Sequence, residues 1–595
     1  MVYFSRVAQR SLTEPQRNPM SLLLVVRDWS ETTPHVAGNA ALASVGLQGF
    51  VNPQRFSWDG GAAWLYPTPN NARGSGAWIR RGTSFAASTG AFHWRGQVGE
   101  TALAHLLASD QPLESLPLDQ ISGAFLILLG RADGVWLFGD AFGLMKAYEV
   151  AAEGVISTSF LACAAALKRR NVNRLRAQEY ILLGATHGLD TPVDGLRLLD
   201  PCKAHGLSGC KDAALYAPGS WRASVVPRSA SAATEAVCEL ISTEFRHLAS
   251  GYGPNIGMAL SGGFDSRLLL AALEHVGVQP DLFVYGRADD SDVVIANAVA
   301  RMMQRPIESI DKSALDRHLP VIDSTQLASN MLFFDGLPID GIYNRGSDRA
   351  TRLKQVQGGR LNLNGGGGEI LRNFFYLPDR SYTASDVFAA FYSGWLDEVF
   401  HSPDERRAFT CCVADEILLS LGREHGTDAA RAQPLARLDI ELVYTLFRLR
   451  YWMGRNNSLA ARYGAFMTPL VMPSLVTLAA AIPMAWKDFG RLEAQVIARL
   501  SPRVAAAPSS YGFSFDQGPG WRHMLKLAST MYRPVSLRHH SLRLQKWLGR
   551  TATPNVPVEW RDALGDEPTA DWLNPAALTR LDQLNRLMTL QAVLK

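Results

Sequence analysis

The chain has 595 residues, of which 47% are hydrophobic and 19% are charged, and its formal net charge is +4. This composition is typical of a globular protein and excludes a disordered one, and the length predicts about two to four domains. So small a net charge gives no reason to expect a nucleic-acid partner. No cysteines form a Cys-x-x-Cys pair, residues 1–19 lack the apolar core of a signal peptide, and no apolar run is long enough to span a bilayer. We therefore expect a cytoplasmic protein with reduced thiols and no membrane partner.

Short apolar runs separated by turns dominate the first third of the chain. Residues 21–26 have the composition of a strand, and residues 121–129 and 135–138 flank the turn sequence Arg-Ala-Asp-Gly at 131–134. Two apolar runs around a short Asp-Gly turn predict a β-hairpin. Several such strands predict a sheet sandwich, which we assign to a domain of residues 1–220.

The pattern changes after residues 218–231, a segment rich in Pro, Ser and Ala that indicates a linker. Beyond it, strand-like and helical segments alternate, as is typical of a parallel α/β sheet. We predict a second domain of residues 221–595 that is rich in helices, above all after about residue 385. Its first predicted elements are a helix at 233–248, a strand at 256–260, a helix at 266–275, a strand at 281–285 and a helix at 292–303.

A glycine loop with the sequence Ser-Gly-Gly-Phe-Asp-Ser joins the first of these strands to the following helix. Its glycines allow a sharp turn that exposes backbone N–H groups, and the helix N-terminus adds the positive end of its dipole. Both features favour a phosphate or pyrophosphate group. Asp265 would repel phosphate unless a Mg²⁺ ion lay between them, so we expect Mg²⁺ here. The predicted contact residues are Leu260, Ser261, Gly262, Gly263, Asp265 and Ser266.

A simpler interpretation of this loop is an ordinary Gly-Gly turn with a Ser or Asp helix cap, which needs no ligand. The loop also lacks the Gly-Lys-Ser/Thr of a Walker sequence and differs from Gly-x-Gly-x-x-Gly. The strand before it, the helix after it and a second acidic loop together favour the phosphate site.

Residues 261–266 resemble the Ser-Gly-Gly-x-Asp-Ser motif of the ATP pyrophosphatase family. The resemblance implies that ATP is cleaved between its α and β phosphates. It further implies that the loop holds pyrophosphate while a carboxylate becomes an acyl-adenylate. ATP and Mg²⁺ are the cofactors that follow from it.

The second conspicuous loop is Asn-Gly-Gly-Gly-Gly-Glu at residues 364–369, after a strand-like start. Its glycines permit close approach of the backbone to a ligand. Glu369 is suited to complete a Mg²⁺ site with Asp265, and Arg372 is suited to face phosphate or carboxylate. The alternative is a flexible loop in which Glu369 is merely a favourable first-turn acid. The predicted contact residues are Gly365, Gly366 and Gly367.

This loop is similar to the Gly-x-Gly-x-Asp-Glu segment of asparagine synthetases, and its Gly-Gly-Glu form followed by Arg372 looks more like that of lasso peptide cyclases. Those cyclases are macrolactam synthetases of ribosomal peptides, with a ligase domain similar to asparagine synthetase and β-lactam synthetase. The resemblance implies that Asp265, Glu369 and Arg372 take part in catalysis. It also implies that Tyr285 contacts the cofactor. Similar segments continue at residues 285–287, 291–296, 455–462, 469–473 and 480–483.

The first third of the chain resembles the class II glutamine amidotransferase domain. Gly139, Asp140, Gly143 and Tyr148 match parts of its Arg-Asp-x-x-Gly-x-x-Pro-Leu-Tyr hairpin, and parts of residues 180–199 look like the stretch joining the two domains. The resemblance implies an αββα sandwich at residues 1–220. It implies an amide-ligase domain of the ATP pyrophosphatase kind at residues 221–595.

The N-terminal sequence departs from that of a working glutaminase. Such an enzyme needs a cysteine at its mature N-terminus, where its own α-amine acts as the base. Here Met1 precedes Val2, and no cysteine occurs before Cys163. We therefore expect no glutamine hydrolysis, a nucleophilic amine on the substrate itself, and a structural or peptide-docking role for the first domain.

A second departure concerns a lysine that related ligases place near a late Phe-x-x-Gly. The corresponding stretch here, residues 509–518, has no lysine. A cation in that role would offset the charge that develops on phosphorus in the transition state. Lys487 and Arg491 lie upstream as candidates, and Lys487 is the catalytic residue that we predict.

Together these features predict a lasso peptide cyclase that acts on a precursor peptide beside a leader peptidase partner. The alternatives are a ligase of the same fold that makes asparagine or a β-lactam, and a binding protein without catalysis. The basic run at residues 533–550 is expected to be a solvated amphipathic helix, with peptide contact as the alternative.

Overall fold

The computed structural model describes residues 21–30, 32–67, 76–217, 221, 225–392, 394–538, 540–550, 554–564 and 571–595. Residues 1–19 and parts of the predicted linker at 218–231 lie outside these ranges. The described chain is mixed α/β, with antiparallel sheets in its N-terminal region and a parallel sheet in its C-terminal region. The predicted fold class is confirmed at that level. All six cysteines are unpaired.

The N-terminal region is built on two antiparallel sheets. Its strands are β1 (Leu22–Arg27), β2 (Gln54–Trp58), β3 (Gly61–Tyr66), β4 (Trp78–Arg81), β5 (Ser84–Trp94), β6 (Ile121–Arg131), β7 (Gly134–Gly139), β8 (Tyr148–Val150), β9 (Val155–Ser157), β10 (Arg197–Leu198), β11 (Lys203–Ser208) and β12 (Ala213–Ala214). Among the described residues, one sheet has the order β10-β8-β9-β1-β3-β2 and the other β12-β11-β7-β6-β5-β4. The predicted hairpin is confirmed as the antiparallel pair β6 and β7.

The two sheets face each other, and helices cover their outer sides. Leu23 and Val25 of β1 share a buried cluster with Leu128 of the other sheet, whereas Val26 lies against Gly38 of the first helix. Such alternation places successive side chains on opposite faces, and each buried aliphatic side chain contributes about 1.5–3 kcal/mol. The helices described here are α1 (Val36–Leu47), α2 (Gly99–Ala108), α3 (Phe160–Ala166) and α4 (Arg174–Leu183).

The C-terminal region contains a parallel sheet with the strand order β15-β14-β13-β16-β17. Its strands are β13 (Ile256–Ala259), β14 (Asp281–Tyr285), β15 (Ile307–Ile310), β16 (Leu361–Leu363) and β17 (Phe466–Met467). The strands predicted at 256–260 and 281–285 are confirmed as β13 and β14. The two-residue strand β17 is too short to give a periodic signal in the sequence.

Helices make up most of the remaining C-terminal region, as predicted. The helices predicted at 233–248, 266–275 and 292–303 are confirmed as α5 (Ala230–Tyr252), α6 (Phe264–His275) and α7 (Ser291–Met302). None of the described helices is long and apolar enough to cross a membrane. A π-helical segment, Tyr444–Met453, lies between α14 and α15. The helices are α5 (Ala230–Tyr252), α6 (Phe264–His275), α7 (Ser291–Met302), α8 (Lys312–His318), α9 (Ser324–Phe333), α10 (Ser347–Gln355), α11 (Ala384–Phe391), α12 (Pro403–Ser420), α13 (Asp428–Ala432), α14 (Arg437–Val443), α15 (Gly454–Ala461), α16 (Pro473–Ala479), α17 (Met484–Lys487), α18 (Arg491–Leu500), α19 (Pro502–Ala505), α20 (Trp521–Met531), α21 (Val535–Arg538), α22 (His540–Trp547), α23 (Val558–Leu564) and α24 (Leu581–Leu594).

The strand order of the parallel sheet reverses between β13 and β16. The chain runs from β13 outward to β14 and β15, then returns to the other side of β13 to form β16 and β17. Loops that leave the carboxyl ends of strands at such a reversal diverge and open a crevice between them. Met258 of β13 is paired with Leu363 of β16, so both glycine loops start at the same level. The fold therefore places the two glycine loops side by side.

A buried ion cluster joins the N-terminal and C-terminal regions. The fully buried Asp335 accepts hydrogen bonds from the Ser159 hydroxyl at 2.5 Å and the Phe160 amide at 2.8 Å. Its oxygens also lie 3.3 Å from Arg455 and 3.4 Å from Arg462. Both oxygens of this carboxylate therefore have partners, which fix α3 against α15 and the loop around Asp335.

Candidate active site

The first glycine loop, between β13 and α6, is held by its own polar groups. The Ser261 amide donates to the Ser266 hydroxyl at 3.0 Å, and the Gly263 amide donates to the Ser261 hydroxyl at 3.2 Å. The Gly262 amide donates to a carboxylate oxygen of Asp292 at 3.3 Å. One amide of this loop therefore already points at an anionic oxygen, as a phosphate-binding loop requires.

Gly262 is buried because a later part of the chain lies directly against it. A Cβ atom at this position would come within 2.9 Å of the Ser510 side chain and 3.0 Å of the Ser510 nitrogen. The Ser510 amide also donates to the Gly262 carbonyl at 3.0 Å. A side chain at position 262 would therefore push residues 509–511 away from the loop.

Arg372 draws together three carboxylates from three separate segments. Its guanidinium group lies 2.8 Å from Asp265 at the start of α6 and 2.9 Å from Glu493 of α18. An oxygen of Glu369 lies 3.7 Å from a nitrogen of the same guanidinium group. The structure thus brings Asp265, Glu369 and Arg372 together and adds Glu493, which the sequence analysis did not identify.

Two oxygens of this cluster have no hydrogen-bond partner among the described residues: Asp265 Oδ1 and Glu493 Oε1. Both are directed at Gly368, where a Cβ atom would lie 2.3 Å from the Asp265 oxygen and 2.9 Å from the Glu493 oxygen. Only glycine leaves room at this point for the two carboxylates. Unpaired buried carboxylate oxygens are costly, and a bound cation satisfies them.

The electrostatics of the cluster show an excess of negative charge. Burial, and then the nearby charges of Asp265 and Glu369, raise the pKa of Glu493 well above its ordinary value although Arg372 opposes them. Burial and the charge of Asp265 likewise raise the pKa of Glu369. The three carboxylates, despite burial, raise the pKa of Arg372 well above its ordinary value. One guanidinium group therefore does not neutralise three acids.

The second glycine loop positions Glu369 through its backbone and through Tyr444. The Tyr444 hydroxyl donates to Glu369 Oε2 at 2.5 Å, and the Gly367 amide donates to the same oxygen at 2.9 Å. Gly365 lies so close to α6 that an added Cβ would be 3.1 Å from the backbone of Asp265. The two loops are therefore in van der Waals contact, with Glu369 held in a short 3₁₀ turn, Gly368–Leu371.

No protein-family model matches this chain, and no curated protein is similar to it at a significant level. The cluster must therefore be interpreted from its chemistry. Carboxylate oxygens are the ligands that Mg²⁺ prefers, and two of them lack partners here. Asp265, Glu369 and Glu493 repel one another, and their carboxylates are suited to share a divalent cation as its ligands.

Two other predicted residues lie apart from this cluster. Tyr285, at the carboxyl end of β14, accepts a hydrogen bond from Gln355, and the Lys312 amine lies 4.7 Å from the centre of its ring. Burial raises the pKa of Tyr285 to about 12. Lys487 is fully buried, and its amine donates to the Ala479 carbonyl at 2.6 Å. The structure does not bring Lys487 to the carboxylate cluster.

Burial explains the unusual state of Lys487. Burial lowers the pKa of this amine to about 8, although the nearby charge of Glu441 raises it. A lysine that is enclosed by protein and bonded to a carbonyl serves packing and cannot reach a phosphate without leaving its site. Lys487, which the sequence predicts as the transition-state cation, is therefore buried and bonded to the backbone in this structure.

A second group with metal-ligand chemistry lies at the contact between β5 and α5. It consists of His93, Glu244 and His247, whose ligand atoms all lie within 4.8 Å of one another. His93 Nε2 is 3.0 Å from Glu244, and its Nδ1 accepts from the Gly96 amide at 3.3 Å. Because both ring nitrogens of His93 are engaged, this group is adequately explained as a buried His–Glu hydrogen bond.

Proposed function

We propose that this chain is an ATP-dependent amide ligase that closes a macrolactam ring in a ribosomally made precursor peptide, as lasso peptide cyclases do. In this proposal residues 221–595 form the ATP-pyrophosphatase-like ligase domain, and residues 1–220 form an amidotransferase-like αββα domain. The reaction takes place in the cytoplasm, where ATP is available, with a leader peptidase as partner.

The observation that carries the proposal is the contact between the glycine loops after β13 and β16, and we call the site where they meet the crevice. Two glycine loops meet there at the point where the strand order reverses, which is where open α/β sheets bind nucleotides. Three carboxylates lie at the same place around Arg372. Backbone amides for phosphate and acids for a divalent cation are the two halves of a Mg–nucleotide site.

Each residue has a defined part in this proposal. The amides of Ser261, Gly262 and Gly263 and the Ser261 hydroxyl hold the diphosphate, and the present hydrogen bonds of these amides to Ser266, Asp292 and Ser261 give way to it. Asp265, Glu369 and Glu493 would hold Mg²⁺, which supplies charge stabilisation at the phosphates. Tyr444 keeps Glu369 oriented.

The proposed chemistry has two steps that balance without a further reactant. A side-chain carboxylate oxygen of the peptide bonds to the α-phosphorus of ATP, and the bond to pyrophosphate breaks. The N-terminal amine of the same peptide then attacks the acyl carbon, loses a proton and expels AMP. Holding both ends of one chain together gives effective molarities on the order of 10⁵ M or more, so the second step needs orientation above all.

The proposal is tested by incubating the purified chain with ATP, Mg²⁺ and synthetic peptides that carry a free N-terminal amine and a single Asp or Glu. We expect AMP, pyrophosphate and a peptide product that has lost one water, measured by mass spectrometry. Asp265→Asn should lower turnover by about 10²- to 10³-fold. The matched control is Asp289→Asn, which removes an exposed carboxylate whose pair with Arg287 lies in solvent.

Two results would contradict the proposal. AMP formation from aspartate and ammonia, with no peptide product, would identify a ligase of small molecules such as an asparagine synthetase. No nucleotide cleavage with any acceptor, together with an unaffected fold, would identify a binding protein that lacks catalysis.

A further inference from the structure

A cavity of about 440 Å³ opens beside the carboxylate cluster. Phe264 and Arg372 line its inner end, and Ser510 and Tyr511 line the side next to the first glycine loop. Its outer wall is helix α20. The volume lies within the range of pockets that enclose small ligands, and it accommodates one or two amino-acid residues of a peptide.

The outer wall of the cavity carries two cations. Arg522 and Lys526 lie four residues apart on α20, so they project from the same face, and both line the cavity. Neither forms an ion pair with any residue that the structure describes. Asp488, the acid of this lining, is already engaged by the Asn373 amide at 2.9 Å. The outer end is therefore positively charged, and at the inner end the cavity meets Arg372, the cation that is paired with the three carboxylates.

This positive end belongs to a longer stretch without acids. From Asp516 to Glu559 the sequence contains no Asp or Glu, although seven Lys and Arg residues occur between them. Farther along the stretch, Arg543 and Lys546 pair with Asp397 and Glu398. Arg522 and Lys526 have no such partners, and they are the two that line the cavity.

Aromatic side chains make up much of the remaining lining. The Phe264 ring lies 4.7 Å from Tyr511 and 4.5 Å from Phe515, measured between centroids, and His523 packs edge-on against Tyr511 at 5.3 Å. Such faces bind aliphatic or aromatic side chains and exclude water from the neighbouring polar groups. A ligand that fits has an anionic group and an apolar body.

We propose that this cavity binds the carboxylate-bearing residue of the peptide substrate, with Arg522 and Lys526 attracting its carboxylate toward the crevice. The inference rests on the proposed function and names the subsite for its acyl donor. The anionic group recognised in this way is a carboxylate or a phosphate. The carboxylate is favoured because backbone amides for phosphate are already supplied at the other end, by the glycine loop.

The inference is tested by saturation-transfer NMR with two small probes, N-acetylglutamate N-methylamide and its glutamine counterpart. These molecules have nearly the same shape and differ in charge. The unsubstituted chain should give a stronger signal with the glutamate probe. The double variant Arg522→Gln/Lys526→Gln should lose that preference, with glutamate binding weakened by about 3- to 30-fold. The control Arg533→Gln/Arg550→Gln removes two exposed cations of the same stretch that do not line the cavity, and it should keep the preference.

A second arm separates carboxylate from phosphate. Calorimetry with ATP and Mg²⁺, and with pyrophosphate alone, should give affinities in the Arg522/Lys526 variant within about twofold of those of the unsubstituted chain. If pyrophosphate binding falls while the glutamate signal persists, the two cations serve phosphate and the inference is wrong. Equal signals from the two NMR probes with normal ATP binding also overturn it and leave the proposed function standing. Glutamate selectivity without any ATP binding supports the subsite and contradicts the proposed function.

Discussion

Two buried arginine–carboxylate clusters in this molecule differ in how their charges are balanced. At the junction of the two regions, a single carboxylate, Asp335, faces Arg455 and Arg462. Arg455 also donates to the Leu337 and Phe334 carbonyls, whereas Nε and Nη1 of Arg462 have no hydrogen-bond partner among the described residues. In the crevice, the ratio is reversed, because three carboxylates share Arg372 and two of their oxygens have no partner.

The difference separates a structural role from a functional one. A buried carboxylate whose two oxygens are both hydrogen-bonded, as those of Asp335 are, holds two segments in a fixed relation, and its removal costs stability. Buried carboxylates that outnumber their cation and keep oxygens without partners fit a ligand of positive charge, and perturbed carboxylates are typical of functional sites. On this comparison, Asp335 maintains the fold, whereas Asp265, Glu369 and Glu493 are the proposed ligands of a cation.

The largest expected effect is on stability. Asp335→Ala leaves Arg455 and Arg462 buried without their counter-charge, so the free energy of unfolding should fall by about 3–5 kcal/mol in urea denaturation. Asp289→Ala, which removes one partner of an exposed ion pair, should change it by less than about 1 kcal/mol. Similar small losses for both variants would mean that the junction cluster does not hold the two regions together.

Gly368→Ala tests the crowding in the crevice. The new Cβ atom would lie 2.3 Å from Asp265 Oδ1, so the carboxylates must move, and a displacement of about 1 Å corresponds to about 10²-fold in turnover. The assay is ATP-dependent release of pyrophosphate with the peptide mixture described above. Gly46→Ala, in helix α1 with no atom within 4 Å of the new methyl group, is the control and should keep full activity. Normal turnover of Gly368→Ala would show that the arrangement of the carboxylates does not matter to the reaction.

Lys487→Met should act on the pH dependence of stability. The folded chain holds the pKa of this lysine near 8, below its ordinary 10.5, so between these values the unfolded chain binds more protons than the folded one. Stability should therefore rise with pH across this window, by at most about 1.4 kcal/mol per pH unit, and be lowest below it. The variant should lack this rise in thermal unfolding scans and keep its affinity for ATP. An unchanged slope, or loss of ATP binding, would restore Lys487 as a candidate for the site.

The sequence predicted the parts of the site that are local in the chain. The run from β13 through the glycine loop into α6 has strand, turn and helix signals in adjacent residues, and the structure follows them closely. Asp265, Glu369 and Arg372 were found because each belongs to a glycine loop or follows one directly. Their proximity was expected because Glu369 was assigned to the same Mg²⁺ site as Asp265 and Arg372 was assigned to face phosphate or carboxylate.

The parts that were missed depend on contacts between distant segments. Glu493 lies in the first turn of α18, where an acid is favourable in any helix, so its sequence gives no sign that it reaches Arg372. Tyr444 belongs to a π-helical segment that the apolar periodicity of the sequence does not predict. The cations of α20 precede the basic run at 533–550 on which the sequence prediction was made, and their position beside the cavity depends on how residues 509–531 fold back over the glycine loop.

The most direct test of the account is the equilibrium binding of ATP, measured by calorimetry with and without Mg²⁺, to the unsubstituted chain and to Asp265→Asn. We expect one ATP bound per chain only when Mg²⁺ is present, and binding by Asp265→Asn weakened by at least about tenfold with its thermal stability retained. Binding that is independent of Mg²⁺ and unchanged in Asp265→Asn, or no binding at all to a folded chain, would contradict the assignment of the crevice as a Mg–ATP site.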